Sequence, residues 1–212
     1  MSPRAALSPR GLKSLVVWAG LLPLVWLLFA AVTDRLGANP AEALIRSTGE
    51  WSLRLLCLTL AVTPVRRWTG WQALAPLRRV LGLYTFFYAV LHFLCYGWLD
   101  MGMDLGAIVT DVIKRPFILV GMLGLLALLP LAATSFNRAI RALGARRWQA
   151  LHRAVYGIAA LALLHFFWMR AGKNDFADVA VYGAVIGVLL GTRLWARFAT
   201  TATSPTRGRK TG

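Results

Sequence analysis

Apolar residues along this chain gather into blocks of about 20, the length a helix needs to cross a bilayer. Short polar stretches separate the blocks. A segment inside lipid must satisfy its own backbone hydrogen bonds, so the blocks predict α-helices. Six spans follow, at about 14–33, 51–65, 80–98, 116–134, 149–169 and 178–196. The second is short, with Arg54 in its first turn, where a long cation snorkels to the interface. Glycine and proline inside the blocks are tolerable in membrane helices. The expectation is an all-α integral membrane protein, a six-transmembrane-helix bundle in one domain over residues 1–199. The Thr-, Arg- and Gly-rich segment 200–212 is expected to be a disordered cytoplasmic tail. The N-terminus, with Arg4, Arg10 and Lys13 before an apolar run, has the outline of a signal peptide. The run from Leu15 to Val32 is longer than an h-region of roughly 7–15 residues, so it reads as a retained first helix.

The polar connections carry a charge code. The N-terminal segment, the loop with Arg66, Arg67, Arg78 and Arg79, the loop with Arg138, Arg141, Arg146 and Arg147, and the C-terminal end contain no acidic residue. All eight acidic residues lie in or beside the other three connections: Asp34, Glu42 and Glu50; Asp100, Asp104 and Asp111; Asp175 and Asp178. The positive-inside rule then places both termini in the cytoplasm, which requires an even number of spans. Trp51, Trp68, Trp71, Trp98, Trp148, Trp168 and Trp195 fall near the proposed boundaries, where amphipathic rings anchor.

Composition agrees with the pattern. Hydrophobic residues make up 58% of the 212 and charged ones 15%, with a mean hydropathy of +0.61. The net charge of +16 does not imply nucleic-acid binding, because the basic residues sit in short groups between apolar blocks. The two cysteines, Cys57 and Cys95, lie in apolar runs and form neither a disulfide framework nor a zinc site.

The candidate chemistry is in the histidines. All three fall inside predicted helices: His92 in the third span, His152 and His165 in the fifth. Ionisable groups inside a membrane are costly and functional by default, and neutral imidazole is a common haem ligand. Spans three and five both run outward from an arginine pair. His92 lies eight residues before Asp100 and His165 ten before Asp175, so both are expected near the outer side at comparable depth, as axial ligands of one haem between the two helices. His152 is 13 residues before His165, roughly 20 Å lower. The matching position in span three is Arg79, so a second, inner haem lacks an evident histidine partner. Thirteen residues also turn an ideal helix by about 220°, so His152 and His165 do not share a face. Phe86, Phe87, Tyr88, Phe93 and Tyr96 flank His92. Phe166, Phe167 and Trp168 flank His165, and Gly157, Ala159 and Ala160 offer room for a flat ring.

The sequence resembles the MsrQ (YedZ) family, haem-containing membrane subunits within the ferric-reductase-like transmembrane group. The resemblance runs from about residue 12 to 197. It is carried by GLLPLVWLLF at 20–29, LGANP at 36–40, LTLAVTPVRR at 58–67, RRVLGLYTFFYAVLH at 78–92, KRPFILVG at 114–121 and RWQALHRAVYG at 147–157, followed by His165. It implies a haem b electron-transfer subunit of the bacterial inner membrane that feeds a periplasmic molybdopterin methionine-sulfoxide reductase (MsrP), for repair of oxidised proteins. Electrons would come from the quinone pool or a cytosolic flavin reductase. The resemblance implies one or two haems and also FMN, whose site the residues do not locate. His92, His152 and His165 match the family's haem-linked histidines. The larger eukaryotic relatives use two histidines on each of two helices, where this chain has Arg79. With only about 16 residues after span six, reducing power is expected from another molecule.

No P-loop, dinucleotide fingerprint or Ser/His/Asp arrangement is present. The alternative is a small-molecule transporter or channel with the histidines as ligands, against which stand the lack of an intramembrane acidic relay and of an inverted repeat. A cofactor-free membrane scaffold is the third reading. It would tolerate replacement of all three histidines.

Overall fold

The structure is a computed structural model that describes residues 8–172 and 174–202. Helix α1 (Pro9–Val32) starts on Ser8, whose Oγ accepts a hydrogen bond from the Gly11 N–H at 3.1 Å, with Pro9 in the first turn. Helix α2 (Pro40–Thr69) starts the same way: Asn39 Oδ1 accepts from the Glu42 N–H at 3.2 Å, and Pro40 opens the helix. Gly70, at φ 68°, ends it in the left-handed conformation. At 30 residues, about 45 Å, α2 is far longer than the predicted 51–65. The charges that ended the apolar pattern continue the helix, because they pair one turn apart: Glu42 with Arg46 at 3.4 Å and Glu50 with Arg54 at 2.9 Å.

Helix α3 (Leu77–Cys95) runs into a single π-helical turn, Tyr96–Asp100. A short helix, α4 (Leu105–Lys114), follows where the sequence suggested only a connection. It is capped by Asp104, whose carboxylate accepts from the Ala107 N–H at 3.1 Å. Then come α5 (Pro116–Ala133), α6 (Asn137–His152), α7 (Val155–Ala171) and α8 (Ala177–Ala202). Gly144, at φ 74°, breaks α6 into two pieces. Helix α8 continues past the predicted end of span six. The rest of the predicted tail, 203–212, lies outside the described residues. Among the described residues there is no strand. Four helical stretches there are long and apolar enough to cross a membrane: Pro9–Val32, Gln72–Asp100, Pro116–Ala133 and Asn137–Ala171.

Helix α2 packs along α3, α5 packs along α7, and α8 lies on α2 and α7. The core between them includes Leu56 and Leu60, Leu128, Ile158 and Ala159, and Ile186. The outward faces are also apolar. On α1, Trp18 is 68% exposed and Leu22 64%. Apolar residues outside as well as inside are what a lipid solvent selects.

Helix α1 is tied to α3 by two tyrosines. Tyr84 donates to the Val17 carbonyl at 2.6 Å. Tyr88 is fully buried; its hydroxyl donates to the Gly20 carbonyl at 2.8 Å and accepts from the Leu24 N–H at 3.1 Å. Pro23, between those two, has no N–H to give to this turn. One hydroxyl thus satisfies two backbone groups of α1. Tyr88→Phe is expected to lower stability by about 0.5–1.5 kcal/mol by removing the tie between α3 and α1, measured by unfolding in detergent micelles.

Candidate cofactor site

The structure brings His92 of α3 and His165 of α7 together. Their ring centres are 6.1 Å apart, with ring planes at 73°. The Nδ1 atom of His92 lies 2.8 Å from the Ile45 carbonyl of α2, and that of His165 lies 2.6 Å from the Phe117 carbonyl of α5. A carbonyl only accepts, so each Nδ1 carries the proton and each Nε2 keeps a lone pair. This is the arrangement of a metal-ligating histidine, whose second nitrogen donates to a carbonyl or carboxylate. Two metal–imidazole bonds of about 2 Å on opposite sides of one ion put the ring centres about 6 Å apart. The observed separation meets that requirement.

Among the described residues no group of three or more His, Cys, Asp and Glu side chains is arranged to hold a metal ion. A bare ion would need about four protein ligands. Two histidines at this separation fit an iron whose other ligands come from a macrocycle.

The space around the rings also fits. The two histidines line a cavity of about 520 Å³ between α2, α3, α5 and α7, within the roughly 300–1,000 Å³ usual for cofactor sites. One part of its wall is apolar, with Leu53, Leu56, Leu125, Leu128, Ile158 and Ala162. Glu42, Arg46, Glu50, Asp100 and Arg115 give it a charged rim. Helix α4 holds two lining residues in place: Asp111 accepts from the Tyr96 hydroxyl at 2.7 Å and pairs with Arg115 at 2.8 Å. A haem, with an apolar body and one carboxylate-bearing edge, matches this division.

The flanking aromatics divide. Phe93, Tyr96 and Phe166 line the cavity, whereas Phe87, Phe167 and Trp168 face outward. Phe117, not singled out by the sequence, lies 6.1 Å from the His165 ring. Ala162 lines the wall; Gly157, Ala159 and Ala160 do not.

His152 is elsewhere. It ends α6, and a two-residue turn at Arg153–Ala154, still with right-handed helical backbone angles, interrupts the run from His152 to His165. Its ring stacks on Trp148 at 4.1 Å, and its Nε2 lies 3.1 Å from the Thr134 hydroxyl. Trp148 in turn donates to the Thr134 carbonyl at 2.9 Å. His152 lines a second cavity of about 480 Å³ with Lys13, Arg78 and Arg79. No carboxylate is among its described lining residues. Leu56, Thr85 and Leu128 face both cavities and partition them. Arg79, at the position matching His152, donates to Asn137 Oδ1 at 2.8 Å.

A group the sequence did not reveal lies beside the first cavity. Arg170 of α7 is 5% exposed. It bonds Asp175 at 2.7 Å, Asp178 at 3.1 Å and Glu50 at 3.3 Å, and lies over the Phe166 ring at 5.3 Å. Glu50 also pairs with Arg54, which donates to the Tyr182 hydroxyl at 3.1 Å. The network joins α2, α7 and α8 next to the residues that hold His92.

Comparison with known proteins adds a family context. A family model described as ferric reductase like transmembrane component matches residues 48–163, which include His92 and His152 and end just short of His165. The chain is 59% identical to a protein-methionine-sulfoxide reductase heme-binding subunit MsrQ from Polaromonas naphthalenivorans, over 88% of this chain and 85% of the relative. It is 53% identical to a protein of the same name from Ralstonia nicotianae, over 89% and 88%. It is 50% identical to one from Herminiimonas arsenicoxydans, over 87% and 85%. No solved structure matches the chain.

Proposed function

This chain belongs to the ferric-reductase-like transmembrane family, and within it to the MsrQ haem-binding subunits of protein-methionine-sulfoxide reductase; on that premise we propose that His92 and His165 are the axial ligands of one haem b, which supplies the one-electron chemistry by which this subunit transfers electrons. The observation that carries the assignment is the adjacent imidazole pair, 6.1 Å between centres, with both Nδ1 protons committed to carbonyls. The histidines offer Nε2 lone pairs. The apolar wall would exclude water from the ring, and Arg46 and Arg115, each already paired with an acid, are the rim groups opposite in charge to haem carboxylates.

The chain is a membrane protein, and we place it in the bacterial inner membrane with six spans, α2 and α8 completing the set. The acid-free connections face the cytoplasm together with both termini. In that orientation the His92–His165 level lies toward the periplasm and the His152 cavity toward the cytoplasm. The inner cavity is then the entry side. Its cations suit a flavin phosphate, so it is the place to seek the FMN, a quinone or a second haem. His152 is the histidine there, with no second one facing it. The donor is the quinone pool or a cytosolic flavin reductase, and the acceptor is the periplasmic molybdopterin reductase MsrP.

Detergent-purified protein is expected to show a Soret band that shifts on reduction with dithionite. Folded protein that stays colourless with haem supplied during expression would sink the assignment. His152→Ala is expected to leave the low-spin spectrum of the outer haem intact and to slow its reduction by the physiological donor, measured by stopped-flow absorbance. Loss of the outer haem's low-spin spectrum in that variant contradicts the separation of the two levels.

A further inference from the structure

Each imidazole lies against a helix turn that has no side chain at the point of contact. A Cβ on Gly49 would sit 3.0 Å from both Nδ1 and Cε1 of His92. A Cβ on Gly121 would sit 2.8 Å from Nδ1 and 2.9 Å from Cε1 of His165. Four residues before each glycine is the carbonyl that takes the ring proton, Ile45 in one case and Phe117 in the other. Helices α2 and α5 thus present the same cradle: a carbonyl, one helical turn, a bare glycine. The intervening residues are unrelated, Arg46–Ser47–Thr48 against Ile118–Leu119–Val120. Both glycines have ordinary helical backbone, where glycine is about 1 kcal/mol worse than alanine. The helix does not ask for them; the imidazoles do.

We propose that Gly49 and Gly121 are positioning residues which, with the carbonyls of Ile45 and Phe117, hold the two imidazole planes close to perpendicular and thereby set the electronic state and reduction potential of the iron. The inference rests on His92 and His165 being its ligands. The carbonyl holds Nδ1 and the bare glycine lets the Nδ1–Cε1 side of the ring seat against the helix, which together restrict rotation about the Cβ–Cγ bond. The carbonyl also makes the imidazole a stronger donor, which favours ferric iron. The plane angle acts separately. Perpendicular imidazoles leave the two iron orbitals that π-bond with them nearly equal in energy, and ferric low-spin haem then gives a strongly anisotropic resonance at low field. Parallel planes split those orbitals and give a rhombic spectrum with three resolved features.

The test is electron paramagnetic resonance and a redox titration of purified ferric holoprotein, comparing wild type with Gly49→Ala, Gly121→Ala and the control Gly187→Ala. Gly187 lies on α8, and an added Cβ there meets nothing within 4 Å. Wild type is expected to give the low-field signal. Gly121→Ala is expected to lose it, to a rhombic or high-spin signal, and to shift the midpoint potential upward as the Phe117 bond is weakened. Gly49→Ala is expected to do the same to a smaller extent, and the control to match wild type. A rhombic wild-type spectrum overturns the proposal, as do Gly49→Ala and Gly121→Ala proteins with unchanged signal and potential. If Gly121→Ala does not accumulate, the wild-type spectrum and the milder Gly49→Ala protein decide. The ligand assignment fails separately, if His92→Ala or His165→Ala keeps its low-spin haem.

Discussion

Replacing His165 or His92 by alanine removes low-spin haem from the protein. Each imidazole is an axial donor with its second nitrogen bonded to a carbonyl, at 2.6 Å for His165 and 2.8 Å for His92. Deleting such an outer partner alone costs roughly 10–100-fold in metal affinity, and deleting the ligand itself is expected to cost more. Substitution also opens the cavity beside the iron, and the other described side chains lining it offer no second imidazole or thiolate, only the weaker thioethers of Met122 and Met169. Residual haem is therefore expected to be high-spin and easily lost on a desalting column. Absorbance of the Soret band per protein, with and without added imidazole, reads the effect. Imidazole in solution should restore part of the low-spin spectrum in the alanine variants and change nothing in wild type.

The second large effect is expected at Arg170. Its guanidinium is nearly inaccessible yet serves three carboxylates and one aromatic face. Removing one member of a buried pair typically costs about 3–5 kcal/mol. The discount here comes from Asp175 and Asp178, whose side chains are 46% and 57% exposed and can turn to water. Glu50, at 23%, retains Arg54. The expected loss for Arg170→Met is about 2–4 kcal/mol, read as a lower unfolding midpoint in detergent. Asp178→Asn, which removes only an exposed partner, should cost less than about 1 kcal/mol. Glu50 is next to Gly49, so Arg170→Met should also loosen the His92 cradle and broaden the low-spin spectrum. Equal stability of the two variants would mean that the buried guanidinium does not tie α2 to α7.

The helical class and the closeness of the His92 and His165 rings were legible because they rest on apolar block length and on distance from acidic boundary residues. Both are properties of the linear sequence. The length of α2 was not legible. Glu42 and Glu50 read as part of the connection before span two and Arg54 as a first-turn cation, and only the one-turn spacing of Glu42, Arg46, Glu50 and Arg54 signals that the helix starts earlier and carries them as ion pairs. That His152 and His165 lie apart was legible in their 13-residue spacing; the turn at Arg153–Ala154 was not, since no glycine or proline marks it. Arg170 stands one residue past the predicted fifth span and carries no local signal of burial. Its burial depends on three acids from other elements folding over it, two of them close in sequence and one 120 residues away. The carbonyls of Ile45 and Phe117 have no side-chain signature at all. Gly121 stood in a recognisable segment, KRPFILVG, yet nothing local distinguished it from any other membrane glycine.

Whether His92 and His165 share one iron is answered by the low-spin haem content of the wild type, the two single alanine variants and the double variant, measured side by side from reduced-minus-oxidised spectra. If one iron is held between them, each single variant loses as much low-spin haem as the double variant. If the histidines serve different irons, each single variant keeps about half of it and only the double variant loses all, and the site described here is not the one the protein uses.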